Sequence, residues 1–168
     1  MIGKIFKGLA YLVLAVVLLV AGLFVGARFH DGPLGAIPGG PLLAGELVSQ
    51  PPTDWSFAAE PKEIQLQLAA QNTSRTTWIF VVDGVAYVPA SLAYPPGKTW
   101  HKVADQNGEA FLRIEGKRYP VTLKRVADGD AELQQRLRQA VAAKYPQAAS
   151  VGSGGVWFFR VEPRPALG

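Results

Sequence analysis

Apolar residues near the N-terminus form one uninterrupted run. It extends from Gly8 to Ala27 and contains no charged residue over twenty positions. A helix of that length rises about 30 Å, which matches the hydrocarbon thickness of a bilayer. The run therefore predicts a transmembrane helix that contacts the lipid bilayer through residues 8–27.

The charges beside this run differ at its two ends. Lys4 and Lys7 precede it, whereas Arg28 is the one cation immediately after it. Because basic residues are retained on the cytoplasmic side, the prediction is a single-pass protein with a cytoplasmic N-terminus and a periplasmic or extracellular main domain. The alternative is a cleaved signal peptide ending near Ala27, although the apolar core of such peptides is usually about 7–15 residues long.

A segment rich in glycine and proline, residues 32–61, follows the apolar run. It holds six prolines and five glycines, which excludes a long helix or a central strand. Its apolar residues include Leu42, Trp55 and Phe57, so the segment is predicted to pack on the domain surface or on a partner. The predicted organisation is an anchor at 1–31, an arm at 32–61 and a main domain at 62–168.

The main domain begins with a two-residue period. Apolar residues alternate with glutamines over Ile64–Leu68, which predicts a strand with one wet face. The unbroken apolar run Trp78–Val82 predicts a strand buried on both faces. Asp83-Gly84 and Glu115-Gly116 each lie between two such strands and predict tight hairpins. Pro120 has no N–H to donate, which favours an edge position for its strand.

One segment has a helical period. Four apolar residues fall on a single stripe: Leu133, Leu137, Val141 and Tyr145. Asp128 or Asp130 can cap the N-terminus of this helix and Pro146 ends it. After a Gly/Ser-rich stretch at 150–155, Val156–Val161 predicts a last strand. The predicted fold class is mainly β (α+β): a transmembrane helix, then a small split antiparallel β-barrel with one helix near the C-terminus.

Composition excludes several classes of function. The net charge is +4, and residues 32–168 carry 14 basic against 12 acidic side chains, too weak a bias for nucleic acid. The chain has no cysteine and only two histidines, His30 and His101, so no metal site is predicted. A serine triad would have to use His101, and no nucleophile-elbow pattern lies near it. No P-loop or dinucleotide-binding glycine motif is present.

Several short motifs follow one another between residues 75 and 164. They are Arg75-Thr76-Thr77-Trp78, Asp83-Gly84, Ala90-Ser91, Trp100-His101-Lys102-Val103, Arg118-Tyr119-Pro120-Val121, Ala143-Lys144-Tyr145-Pro146 and Glu162-Pro163-Arg164. In this order they resemble the split β-barrel proteins related to flavin reductases, and most of all the deazaflavin-dependent nitroreductase branch. The resemblance implies a flavin or deazaflavin held in a groove of the barrel, often across a homodimer.

The resemblance also implies a set of cofactor-binding residues. They are Arg75, Thr76, Thr77, Lys98, Trp100, His101 and Lys102. The Arg-Thr-Thr run matches the position that grips the cofactor phosphate, since a guanidinium can pair with two phosphate oxygens and hydroxyls add neutral donors. The lysines and His101 beside Trp100 could help bind an anion. No catalytic side chain is identified.

The chain departs from the family pattern at three places. Gln71-Asn72-Thr73-Ser74 lacks the usual glycines, Leu92–Pro96 replaces an Asn-Gly-Gly run, and Val103 replaces an asparagine. Glycine lets backbone N–H groups approach a phosphate closely, so these departures indicate a degenerate cofactor site.

Two functions remain open. The first is a membrane-anchored binding or accessory protein without a cofactor, in a membrane complex or as a homodimer. Gly22 and Gly26 have the spacing of small residues at contacts between membrane helices, which is consistent with a membrane-protein partner. The second is a flavin- or deazaflavin-dependent oxidoreductase in which the cofactor itself transfers hydride. The sequence does not decide whether the chain is an enzyme.

Overall fold

The computed structural model describes residues 2–147 and 155–165, with side chains from Phe6 onward. Its first element is helix α1, Ile2–Ala27. The stretch Phe6–Ala27 has a mean hydropathy of 2.8, and its most apolar window is not buried against the rest of the chain. By length and composition the helix can cross a membrane, and a signal sequence would have the same two properties. The predicted stretch at 150–155 lies outside the described residues except for Gly155.

The rest of the chain forms one sheet of eight strands with two further helices. The strands are β1 Glu46–Leu47, β2 Glu63–Leu68, β3 Ser74–Trp78, β4 Phe80–Val82, β5 Val85–Ser91, β6 Glu109–Ile114, β7 Lys117–Arg125 and β8 Val156–Pro163; the helices are α2 Trp100–Gln106 and α3 Ala131–Lys144, and a 3₁₀ turn spans Ser56–Ala59. The main path through the sheet is β3-β2-β6-β7-β8-β5-β4, antiparallel throughout, and β1 pairs with β7 in parallel. The predicted fold class is confirmed.

A single residue, Ile79, joins the two ends of this path. Strand β3 stands at one end and β4 at the other, yet β3 ends at Trp78 and β4 begins at Phe80. The sheet must therefore curl until its ends meet, which makes it a barrel. The prediction of one strand over Trp78–Val82 was wrong, because the chain changes neighbours at Ile79.

Both predicted tight hairpins are confirmed. Asp83 and Gly84 have φ values of 51° and 74°, and Glu115 and Gly116 have values of 49° and 78°. Positive φ at both central residues is the type I′ geometry that matches the twist of the flanking strands.

Alternation along the strands divides the apolar side chains between two cores. In β8, Phe159 points into the barrel core with Leu66 and Leu112. The preceding Phe158 points outward, where it packs with Leu137 beneath helix α3. Neighbouring strand residues face opposite sides of a sheet, so β8 is buried on both faces.

The predicted C-terminal helix is confirmed as α3. The Asp130 carboxylate accepts a hydrogen bond of 3.0 Å from the Leu133 N–H, which caps the helix. Of the predicted stripe, Leu137, Val141 and Tyr145 are buried.

Helix α2 was not expected. Its seven residues are too few to show a clear period, but Trp100 and Ala104 extend the barrel core. His101 lies in this helix and is only 5% exposed.

Pro120 is not at the edge of the sheet. Strand β7 pairs with β6 on one side and with β1 and β8 on the other. The Pro120 nitrogen faces the second side, because the carbonyl of the same residue accepts a hydrogen bond from the Arg164 N–H there and both backbone groups of a strand residue point to one side. On that side β1 pairs with Lys117 and Arg118, and β8 pairs with β7 from Val121 onward. The missing N–H therefore falls just beyond the end of the β7–β8 pairing, where the Pro120 carbonyl still accepts a hydrogen bond of 3.1 Å from the Arg164 N–H.

The arm at 32–61 packs on the barrel. Leu42 and Trp55 are buried, and Trp55 belongs to the barrel core. Gly39 forms a β-bridge with Ser74, whose hydroxyl donates to the Gly40 carbonyl at 2.5 Å. The arm therefore supplies part of the wall of the site described next.

Candidate functional site

A cavity of about 360 Å³ opens beside β3 and β5. Its walls come from these two strands, the loop between β5 and α2, the N-terminus of α2, helix α3, β8 and the arm. Four of the seven predicted cofactor residues line it: Thr76, Thr77, Lys98 and Trp100. The other three, Arg75, His101 and Lys102, lie outside its lining.

The two threonines differ in what their hydroxyls do. The Thr76 hydroxyl donates to the Gly35 carbonyl at 2.6 Å and so holds the arm against the cavity. The Thr77 hydroxyl has no protein partner within the described part of the chain. Of these two groups, Thr77 is the one available to a ligand.

Lys98 fastens the loop that follows β5. Its ammonium group donates to the carbonyls of Ser91 and Tyr94, at the start of that loop. Burial lowers the pKa of Lys98 from its ordinary value of 10.5. An ammonium group has three donors, so one N–H remains for a ligand.

Arg75 lies behind Trp100, with its guanidinium carbon 5.7 Å from the centre of that ring. It faces the barrel core, since it is paired across the strands with Leu66. Its Nη2 donates to Gln71 Oε1 at 2.5 Å, whereas its Nε is buried without a partner. Burial lowers the pKa of Arg75 to about 10, so the group is still charged at neutral pH, and it forms no ion pair within residues 6–147 and 155–165.

His101 and Lys102 are separated although they are adjacent in sequence. The His101 ring lies against Trp157, with ring centres 5.2 Å apart, and its Nδ1 is buried without a partner. Burial lowers the pKa of His101, and the positive charges of Lys98 and Lys102 lower it further. Lys102 is exposed on the surface of α2. These two side chains do not converge on one anion.

Two indole rings form the flat parts of the cavity wall. Trp78 is stacked on Tyr145 of the α3 end, with ring centres 4.4 Å apart and planes 5° apart. Trp100 packs on Phe159 in the barrel core. Both rings are therefore held by packing that exists without a ligand.

Sequence reasoning missed other parts of the wall. Gly35 and Ala36 come from the arm, and Val141 from α3. No motif pointed to them, because only tertiary packing brings these segments to β3. Pro95 also lines the cavity, and its signal was the run that replaces Asn-Gly-Gly.

The residues present do not fit the phosphate of a flavin. A phosphate site needs several donors that converge and have no other partner. Here Arg75 is turned to Gln71, Thr76 is bonded to Gly35, and two donors of Lys98 are used by carbonyls. The described residues also contain no group of three or more side chains that could hold a metal ion.

Comparison with known proteins gives similarity of shape only. No family model and no curated protein sequence matches the chain. Among solved structures it is similar to a pyridoxamine 5'-phosphate oxidase-like protein from Listeria innocua, with 11% identity, a TM-score of 0.47, and coverage of 65% of this chain and 89% of that one. It is also similar to an FAD-binding protein from Mesorhizobium loti, with 15% identity, a TM-score of 0.46, and coverage of 64% and 84%. Similarity at this level says nothing about a ligand. The barrel is established by the strand order of this chain.

Proposed function

We propose that this chain is a membrane-anchored binding or accessory protein whose barrel holds a flat, mostly apolar ligand instead of a phosphorylated flavin. The observation that carries the proposal is that few polar groups around the cavity are left without a hydrogen-bond partner in the protein. Most of them are hydrogen-bonded within the protein, whereas the walls present two fixed indole rings. The volume of about 360 Å³ is in the range of small-molecule pockets, which are mostly apolar with few polar groups.

In this proposal the ligand lies between Trp78 and Trp100. The free hydroxyl of Thr77 and the third N–H of Lys98 orient it by hydrogen bonds. Because Lys98 is cationic, it favours a ligand with a carbonyl or another electron-rich oxygen at that edge.

The test compares three ligands that share one ring system: lumichrome, riboflavin and flavin mononucleotide. Each is titrated into the full-length protein in detergent, with tryptophan fluorescence as the signal. The proposal expects riboflavin and flavin mononucleotide to bind equally. A converging phosphate site would make the mononucleotide at least about tenfold tighter, since hydrogen bonds to charged groups contribute about 1.5–3 kcal/mol, and that result would refute the proposal.

Variants locate the bound ring. Thr77→Val and Lys98→Met should each weaken lumichrome binding. Thr122→Val is the matched control, because Thr122 is a strand residue on β7 that does not line the cavity. If all three variants bind alike, the ligand lies elsewhere. Mass spectrometry of small molecules released from protein purified from its native membrane then identifies the resident ligand.

A flavin- or deazaflavin-dependent oxidoreductase is the second candidate. One observation favours it: the Nε of Arg75 is buried without a partner beside Trp100. A cofactor phosphate that drew Arg75 away from Gln71 would supply that partner. In this case the purified protein would carry a flavin or deazaflavin absorbance band, and Arg75→Ala would abolish it.

The proposal includes the anchor and its orientation. Helix α1 crosses the membrane with the N-terminus in the cytoplasm, and the barrel lies in the periplasm or outside the cell. A reporter enzyme fused to the C-terminus tests this, because activity confined to the cytoplasm would reverse the topology. A membrane-protein partner or a second copy of the chain would pack against Gly22 and Gly26, where an added Cβ meets no atom within 4 Å.

A further inference from the structure

The chain exposes large apolar side chains where α1 ends. Phe29, two residues after the helix, is 87% exposed, and Leu43 of the arm is 68% exposed. A groove of about 430 Å³ includes Phe29 in its wall and is lined by Phe24, Val25, Arg28, Phe29 and Pro38. We call Arg28, Phe29, Pro38 and Leu43 the juxtamembrane patch.

The patch is attached rigidly to the barrel. The Gly40 N–H donates to the His30 carbonyl at 2.9 Å. The Asp31 carboxylate accepts from the Leu43 N–H at 2.6 Å and pairs with Arg113 of β6 at 2.7 Å. Burial would raise the pKa of Asp31, but the hydrogen bonds from Leu43 and Arg113 outweigh it and lower the pKa. The carboxylate is therefore charged at neutral pH, and no free linker separates α1 from the barrel.

The patch also carries one cation, Arg28. Arg28 is exposed, and its guanidinium forms no hydrogen bond or ion pair with any residue in the described ranges. An arginine next to aromatic and aliphatic side chains suits the boundary between lipid headgroups and acyl chains, where a charged tip meets phosphate and the apolar parts meet hydrocarbon.

From this geometry we propose that the juxtamembrane patch binds phospholipid and seats the barrel on the bilayer surface. Arg28 contacts a lipid phosphate, and Phe24 and Phe29 lie along the first part of an acyl chain. The patch continues directly from the apolar surface of α1, which identifies lipid as its occupant. The inference rests on the proposed anchor, because lipid reaches these residues only if α1 is in the membrane.

Spin labels on single cysteines test the seating, since the natural chain has no cysteine. Phe29→Cys and Leu43→Cys are labelled in the full chain in phospholipid nanodiscs, and collisions with oxygen and with a water-soluble nickel chelate are compared. Val16→Cys reports on the middle of α1. Gln139→Cys, on the exposed face of α3, is the aqueous reference.

The expected result is a graded depth, with Val16 in hydrocarbon, Phe29 and Leu43 at the interface, and Gln139 in water. If Val16 is in hydrocarbon while Phe29 and Leu43 are in water, the patch does not bind lipid although the anchor is correct, and the face is free for a protein. If Val16 is itself in water, the anchor fails and the inference fails with it.

A charge variant tests the role of Arg28. Arg28→Gln should weaken phospholipid binding about fivefold, the effect of one basic residue near a membrane surface. The measurement is native mass spectrometry of the full chain in detergent with added phosphatidylglycerol or phosphatidylcholine. Arg138→Gln makes the same change on the exposed face of α3. Equal binding by the two variants would exclude a phosphate contact at Arg28.

Discussion

The Tyr145 hydroxyl holds the residue at which the barrel closes. It accepts a hydrogen bond from the Ile79 N–H at 3.2 Å and lies 2.6 Å from the carbonyls of Ile79 and Lys62. A phenol has one proton, so it donates to one of these carbonyls at a time. Burial raises the pKa of Tyr145 to about 12, which keeps the hydroxyl protonated at neutral pH.

Tyr145→Phe removes this hydroxyl and leaves the ring in place. The stack on Trp78 is retained, so the change isolates the hydrogen bonds. Ile79 is fully buried, and its N–H would lose its partner without access to water. Leaving a buried polar group unpaired costs about 1–3 kcal/mol, which corresponds to about 2–4 °C in melting temperature for each kcal/mol in a protein of this size.

The assay is urea unfolding of the full chain in detergent, followed by tryptophan fluorescence. Tyr87→Phe is the matched control, because Tyr87 packs in the same cluster beneath α3 and its hydroxyl has no partner within the described residues. We expect that control to change the free energy of unfolding by less than about 0.5 kcal/mol. If the two variants are equally stable, the Tyr145 hydroxyl does not hold the closure.

Two further predictions concern stability. His101 is buried and its pKa is lowered in the folded protein, so the unfolded chain binds the His101 proton more tightly than the folded chain does. The free energy of unfolding should therefore be highest above about pH 6.5, and it should fall as the pH drops from there towards the folded-state pKa. Thermal melts across this range should show that His101→Phe removes the decline, whereas an unchanged decline would assign it to another group. Gly108→Ala would place a Cβ 1.9 Å from the Leu123 carbonyl oxygen and should cost about 1–3 kcal/mol. Gly129→Ala, where a Cβ meets nothing within 4 Å, should be nearly neutral, and equal melting temperatures for the two glycine variants would contradict the close approach.

Local elements were predictable because their signals are short-range. The alternation of Ile64–Leu68 reports one buried face, and the Asp83-Gly84 and Glu115-Gly116 turns require positive φ at two successive residues. Asp130 and the stripe through Leu137 and Val141 define α3 in the same way. Helix α2 was missed since seven residues span too few turns for a period to appear.

The candidate site was only partly predictable. The run at residues 75–77 was expected to act together, but successive strand residues face opposite sides. Thr76 turns to the arm, whereas Arg75 turns to the barrel core. A short motif specifies residue types and their spacing. It does not specify which groups of the folded protein will accept hydrogen bonds from those residues.

The sequence by itself determined the apolar N-terminal helix, the period of the strands, the hairpins and the capped C-terminal helix, because each depends on residues a few positions apart. Only the tertiary structure decided that Ile79 closes the barrel, that the arm walls the cavity and that Asp31 fixes the end of α1 to Arg113. These contacts join residues that are 41, 66 and 82 positions apart. These contacts are stabilised by packing and hydrogen bonds that form only when the whole sheet has curled, so no local sequence pattern predicts them.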